Sequence, residues 1–226
     1  MTPADISVVI PSLNEVGKIE SCIASARDAG AQEIIVADGG SQDGTVDAAA
    51  TAGADKVVHS NPGRGIQLNR GADAATGKMI LFLHSDNQLG GKCLQQICDA
   101  PDAIWGAFRQ RIDAPQIYYR WLEAGNALRV KLRGMPFGDQ AIFVRRTDFQ
   151  QGNQFVEIPL MEDYEFSRRM RKVSTPLLLH GPVTISARRW EQQGVVRQTF
   201  RNWIIQAAYG LGASPEKLAE FYRHRA

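Results

Sequence analysis

An α/β fold built on a mostly parallel sheet is the class this sequence predicts, on three observations. Short, β-branched apolar runs recur at residues 6–10, 33–37, 56–59 and 79–83. Between them, residues 15–29, 45–52 and 68–75 carry apolar positions at helical spacing. Gly30, Gly53 and Gly77 close those three stretches. Strand and helix alternating in this way imply parallel strands joined by helical crossovers, with helices on both faces of the sheet.

Each element follows from its residues. Ile6-Ser7-Val8-Val9-Ile10 is a buried strand that Pro11 closes, and Ile19, Ile23 and Ala26 give the next helix one apolar stripe. Glu33-Ile34-Ile35-Val36-Ala37 is the second strand, and Gly39 to Gly44 is a turn cluster before the helix 45–52. Lys56-Val57-Val58-His59 is a short third strand, and Asn61-Pro62-Gly63-Arg64-Gly65 reads as a loop. Met79-Ile80-Leu81-Phe82-Leu83 is the most apolar strand. Beyond residue 100 the pattern loosens. A strand region is expected at 103–112, a helix at 117–132, a short strand at 140–144 and a helix at 163–173. Short apolar runs follow at 177–179 and 183–185, then an amphipathic helix at 195–211. There is no internal repeat and no linker, so one domain over residues 1–226 is expected.

Composition narrows the class. The 226 residues are 44% hydrophobic and 22% charged, which excludes a disordered chain, a coiled coil and a small disulfide scaffold. No apolar run approaches the ~20 residues needed to span a bilayer, and no secretory signal is expected at the start. Cys22, Cys93 and Cys98 are odd in number and form no CxxC, so neither a disulfide framework nor a zinc site is indicated and a cytoplasmic protein is expected. The net charge of +2 hides an asymmetry: residues 1–167 hold 15 basic and 21 acidic groups, residues 168–226 hold 11 and 3. An acidic front suits a metal, and a basic tail suits an anionic surface or phosphate.

Ligands of open α/β sheets bind outside the carboxyl ends of the strands. Pro11-Ser12-Leu13-Asn14-Glu15 follows the first strand, Asp38-Gly39-Gly40-Ser41-Gln42-Asp43-Gly44-Thr45 the second, Gly63-Arg64-Gly65 the third and His84-Ser85-Asp86 the fourth. Taken singly, Ser12 or Asn14 serves as a helix cap and Asp38 or Asp43 as a turn residue. All four groups on one sheet edge favour a binding site. A dehydrogenase is disfavoured because no GxGxxG follows the first strand.

The set resembles the family 2 glycosyltransferases with the GT-A fold. The residues that carry the resemblance are Val8 to Glu15, Asp38 to Thr45, His84-Ser85-Asp86, Glu162-Asp163 and Arg188-Arg189-Trp190. Gly63 to Ala72 together with Gly138-Asp139-Gln140 is similar to a short bacterial branch of that family. The resemblance implies a GT-A (Rossmann-like) mixed, mostly parallel sheet with a C-terminal helical extension. It divides the chain into a nucleotide-binding half (1–100), an acceptor and catalytic half (101–190) and a basic amphipathic tail (191–226).

It also implies an inverting transfer of a sugar from a nucleotide-diphosphate sugar to an acceptor hydroxyl. Carboxylates accept hydrogen bonds from base N–H groups and ribose hydroxyls, and Glu15 and Asp38 are expected there, with Pro11 and Ser85 lining the same site. Asp86 matches the last Asp of the family's DxD motif and is the expected ligand of Mn²⁺ or Mg²⁺. His84 stands where Asp is commoner, and imidazole suits Mn²⁺ better than Mg²⁺. Arg64 and Arg189, the latter beside Trp190, are phosphate candidates. Asp163 is the expected general base with Glu162 second, Asp139 is a candidate for acceptor or donor-sugar contact, and Gln140 is a candidate for acceptor contact. Gly39 departs from relatives that carry a second Asp. Two alternatives remain: a nucleotidyltransferase, disfavoured because Pro11 to Glu15 replaces a Gly-rich basic loop, and a degenerate nucleotide-binding or membrane-surface module.

In the tail, Val196, Thr199, Phe200, Trp203, Ile204, Ala207, Ala208 and Leu211 share one helical face. A stripe of this kind is more often core or dimer interface than a membrane-surface helix, although the latter suits a lipid-linked acceptor. Tyr118, Tyr119 and Trp121, with Arg120, Arg129, Lys131 and Arg133, form a second aromatic and basic stretch. Nucleic acid is not an expected partner, since no zinc finger or RNA-binding signature accompanies the basic residues.

Overall fold

The apolar runs become strands of one eight-stranded sheet in the computed structural model, which describes residues 1–223 apart from the side chains of Arg189 and Arg223. In chain order the elements are β1 (Ile6–Ser12), α1 (Val16–Asp28), β2 (Glu33–Asp38), α2 (Thr45–Thr51), β3 (Lys56–His59), α3 (Arg64–Asp73), β4 (Met79–Phe82), β5 (Asn87–Leu89), α4 (Cys93–Cys98), β6 (Trp105–Asp113), α5 (Ile117–Arg133), β7 (Phe143–Arg145), α6 (Arg146–Gln150), α7 (Glu162–Val173), β8 (Leu177–Ser186), α8 (Arg188–Gln193), α9 (Val195–Gly210) and α10 (Pro215–Arg223). The strand order is β3-β2-β1-β4-β7-β6-β8-β5. β3, β2, β1 and β4 run parallel, and β7 pairs antiparallel with both β4 and β6.

Alternation along β1 builds two cores. Ile6, Val8 and Ile10 face one side and pack with Ile19 and Ile23 of α1 and Leu94 and Ile97 of α4. Val9 faces the other side with Leu68 and Ala72 of α3 and Phe166 and Met170 of α7. A sheet covered on both faces explains strands that are apolar throughout rather than at every second residue. Chain connections diverge at β1, which has β2 on one side and β4 on the other. Their carboxyl ends therefore open a crevice at a topological switch point.

Several expectations are corrected. Pro11 does not close β1: the strand runs on to Ser12, with Pro11 opposite Ala37. Pairing with β4 stops at Val9–Phe82, so the missing Pro11 N–H leaves no ladder bond unmade. Arg64 does not sit in a loop. α3 begins at Arg64, four residues earlier than its apolar spacing suggests, because Gly63 supplies a φ of 143° at the helix entry. The two apolar runs at 177–179 and 183–185 are one strand, β8, with a register shift opposite Phe108 and Gln110.

The largest correction concerns α9. Most of its apolar stripe lies outside the core: Val196, Phe200, Trp203 and Ile204 are exposed, Ala208 packs partly buried against the Met161, Ile205 and Leu218 cluster, and Gln198, Arg201 and Ile205 face inward. The inward face meets the crevice, whose walls are polar.

Candidate active site

Polar side chains fix the loops at the crevice. Gln67 of α3 donates from Nε2 to the carbonyls of Ser12 (2.7 Å) and Ala37 (3.0 Å), clamping the ends of β1 and β2 together. The loops after those strands are stitched across: Asn14 N donates to Ser41 Oγ (2.9 Å), Gln42 N to Asn14 Oδ1 (2.9 Å) and Glu15 N to Thr45 Oγ1 (2.8 Å). Asn69 holds residue 155 by a reciprocal pair, accepting from Phe155 N and donating to Phe155 O, both at 2.9 Å. Much of the Gly63 to Ala72 motif thus holds other loops in place.

Two connected cavities result. The first, about 290 Å³, is lined by Pro11, Glu15, Arg64, Gln67, Ser85 and Asp86. The second, about 200 Å³, is lined by Asp86, Asp139, Asp163, Trp190, Gln198 and Asn202, among others. Arg64, His84 and Asp86 line both. Asp86 and Asp163 therefore face one space, with the Arg64 guanidinium beside it.

Asp163 is oriented by backbone amides. Its Oδ2 accepts from Gly138 N (2.9 Å) and its Oδ1 from Tyr164 N (2.7 Å). Gly138 is required at this point: a Cβ there would lie 2.7 Å from His84 Nε2 and 3.4 Å from Asp163 Oδ2. Asp139 is enclosed. Burial pushes its carboxyl above the usual range, Arg129 opposes this, and Asp163 and Asp86 add to it. Gln110 faces the Asp139 carboxylate and also opposes the rise. Among the described residues, three other than glycine have left-handed backbone: Asn14 (φ 54°), Ala141 (φ 47°) and Met161 (φ 75°). All three lie in segments that carry site residues, where such strain, about 1–3 kcal/mol each, is commonly held.

Not every expected residue reaches the cleft. Asp38 is 1% exposed and lines neither cavity; its carboxylate accepts from Gly40 N, Ser41 N and Ser41 Oγ. Burial alone would raise its pKa, but those hydrogen bonds outweigh burial and lower it. Gln140 is fully buried and spends its amide on Arg129 Nη2, Phe137 N and Phe108 O. Glu162 is 1% exposed and bonded to Arg64 Nη1 at 2.8 Å. Burial raises its carboxyl and Arg64 opposes the rise. None of these three lines either cavity. Glu15 lines the first cavity and is ion-paired with Lys18. Trp190 lines the second and meets Tyr119 edge-on at 6.1 Å. The Arg189 side chain lies outside the described residues. Asn87, Phe137, Gln198, Asn202 and Tyr222 also line the second cavity. Nothing in their spacing marked them, since Gln198 and Asn202 sit on what reads as the solvent side of α9.

A divalent cation fits this arrangement in part. No group of three His, Cys, Asp or Glu side chains is preassembled among the described residues. Asp86 offers one hard oxygen ligand, and His84 and Asp139 line the same space. Such a set suits an ion that shares its remaining ligands with substrate phosphates.

The chain belongs to glycosyl transferase family 2, whose model matches residues 7–158. It is 29% identical over 189 residues to the PGL/p-HBAD biosynthesis glycosyltransferase of Mycobacterium tuberculosis, covering 76% of this chain and 71% of the relative. Among solved structures, S. aureus TarS (1–349) in complex with UDP-GlcNAc superposes with a TM-score of 0.63 at 16% identity, over 82% of this chain and 58% of that one. The glucosyl-3-phosphoglycerate synthase of M. tuberculosis in complex with Mn²⁺ and UDP-glucose gives 0.57 at 22% identity, over 80% and 69%. These likenesses confirm the mixed GT-A-type sheet. The chain spans about three fifths of the length of TarS (1–349).

Proposed function

We propose that this chain transfers a sugar from a nucleoside-diphosphate sugar to an acceptor hydroxyl in one inverting displacement. The observation that carries the reading is the shared space: Asp86 and Asp163 line one cavity, and Asp86 also lines the adjoining cavity with Pro11, Glu15 and Ser85. The nucleotide occupies the Pro11–Glu15–Ser85 side, which puts its diphosphate at Asp86 and Arg64. The solved relatives carry UDP or UDP-sugars, so uridine donors are the first class to test.

Asp163 holds the reacting hydroxyl and takes its proton as the acceptor oxygen bonds to the anomeric carbon. The bond from that carbon to the β-phosphate oxygen breaks on the opposite face, and its electron pair leaves with the diphosphate. The two backbone amides on Asp163 keep its carboxylate in position. Arg64 places a guanidinium beside the leaving group. Asp86 would hold Mn²⁺ or Mg²⁺, which when bound would supply Lewis-acid stabilisation of the departing diphosphate. Asp139 faces the acceptor, while Glu162 positions Arg64. The division into residues 1–100 for nucleotide, 101–190 for acceptor and 191–226 as a basic tail belongs to the same reading. The three buried free thiols suit a reducing, cytoplasmic setting.

The test is nucleotide release by the purified chain across UDP- and GDP-sugars, with Mn²⁺, with Mg²⁺ and with chelator. Metal-dependent release from one donor class, lost in Asp86→Ala and Asp163→Ala, is expected. Release that both substitutions leave unchanged refutes the assignment.

A further inference from the structure

Among the described residues, ten of the sixteen large hydrophobic residues that are exposed lie on or directly after two helices, α5 and α9. On α5 they include Ile117, Trp121, Leu128 and Leu132, at 53–75% exposure. On α9 they include Val196, Phe200 and Trp203, at 60–83%, and Leu211 follows at 89%. Both sets recur at three- and four-residue spacing, so each helix presents a stripe. The stripes adjoin across a groove of about 670 Å³ whose walls include Trp121, Leu128, Leu132, Trp203 and Ala207. No segment among the described residues covers them.

Charge identifies what does. α5 and α9 together carry six cations and a single carboxylate, Glu123. Glu123 is ion-paired with Arg120 at 2.9 Å. The exposed charges on these helices, Lys131, Arg133 and Arg197, are all positive. A second copy of the chain packed here about a two-fold axis would bring the same cationic surface against itself, unopposed. An anionic bilayer surface matches both features: tryptophan and aliphatic side chains enter the headgroup boundary, and the flanking cations meet lipid phosphates. No described helix is long and apolar enough to cross a membrane, so the contact is peripheral.

We propose that the α5–α9 face docks this protein on an anionic lipid bilayer. Docking itself stands apart from the glycosyltransferase reading. Its consequence rests on that reading: the inward side of α9 carries Gln198 and Asn202 into the cleft, so docking sets the cleft beside the headgroups and selects an acceptor hydroxyl carried on a lipid.

The experiment is flotation of the full chain with vesicles of phosphatidylcholine alone and of phosphatidylcholine with phosphatidylglycerol, read without any activity measurement. The chain should float with the anionic vesicles and stay behind with the neutral ones, and added salt should weaken binding. Trp121→Ser and Trp203→Ser should each cut the partition coefficient by about tenfold or more. Arg197→Glu, which leaves the apolar stripe intact, should weaken it as well. Circular dichroism of the variants, expected to match wild type because the changed residues are exposed, checks that the fold stays in place. Absence of flotation with anionic vesicles overturns the proposal. So does binding that the tryptophan substitutions do not alter, or a dimer in light scattering that Trp203→Ser turns into a monomer. Loss of vesicle binding with sugar transfer intact to a water-soluble acceptor, or the reverse, separates docking from catalysis.

Discussion

Gly138→Ala isolates the geometry at the centre of the cleft. The added Cβ would stand 2.7 Å from His84 Nε2, 3.0 Å from His84 Cε1 and 3.4 Å from Asp163 Oδ2. Ordinary contact needs about 3.5 Å, so the imidazole must retreat by roughly 0.8 Å or the Gly138–Gln140 turn must lift. Either movement disturbs the hydrogen bond from Gly138 N that orients Asp163. Overpacking of this kind costs about 1–3 kcal/mol; the low end is expected, because the clashing atoms belong to a side chain rather than to backbone. The kinetic effect is larger, since a displacement of about 1 Å at a reacting group can cost about a hundredfold in rate. The variant should therefore melt slightly below wild type, bind uridine diphosphate with unchanged affinity in calorimetry, and turn over about a hundredfold more slowly. Wild-type turnover would refute the claim that Asp163 is held from this turn. Loss of nucleotide affinity in parallel with rate would show that the two cavities are not separable in function.

Three further outcomes follow from charges and thiols. Arg64→Ala leaves the Glu162 carboxylate buried without its cation and should destabilise the chain by about 2 kcal/mol near neutral pH, below the full value for a buried pair because Arg64 is 41% exposed. Burial raises the Glu162 pKa, so its protonated form is the better tolerated; the deficit should shrink as pH falls and widen as pH rises, and Glu162→Gln in the same background should relieve it, all readable by denaturant titration. Glu33 ties β1, β3 and the approach to β4 through Ser7, Lys56 and Thr76. Burial alone would raise its carboxyl, but these partners hold it down at about 2; its stabilisation is full above the ordinary pKa near 4.5 and fades as pH falls toward 2, and Glu33→Gln should remove about 1–2 kcal/mol at neutral pH. Burial pushes the Cys93 thiol up to about 11 and raises Cys22 and Cys98 as well, so iodoacetamide followed by mass spectrometry should label them slowly in the native chain and rapidly in denaturant.

Much of the fold was legible because the strands are apolar on both faces and end abruptly in polar loops. Ile6 to Ile10 and Met79 to Leu83 could be read from composition alone, and the loops after them do meet at the crevice. Arg64 was harder, because Pro62 and Gly63 resemble loop punctuation although Gly63 opens a helix. Asp38 and Gln140 look like ligands in sequence, yet both are consumed by bonds that hold loops closed, a distinction that depends on side-chain direction and on burial. α9 misleads most. An apolar stripe ordinarily marks the buried face, but here the buried face borders a polar cleft and the stripe is left outside. β5 and α4 leave no legible signal in residues 87–98, since both are too short to show a period.

The central claim is that Asp163 takes the proton of the acceptor across the cavity it shares with Asp86. Turnover of Asp163→Asn, measured together with its affinity for the nucleoside diphosphate and Mn²⁺, tests it most directly. The account predicts unchanged affinity and a rate lower by roughly 10²–10⁴-fold, as for loss of a general base. Turnover within a few-fold of wild type at the same affinity would contradict it.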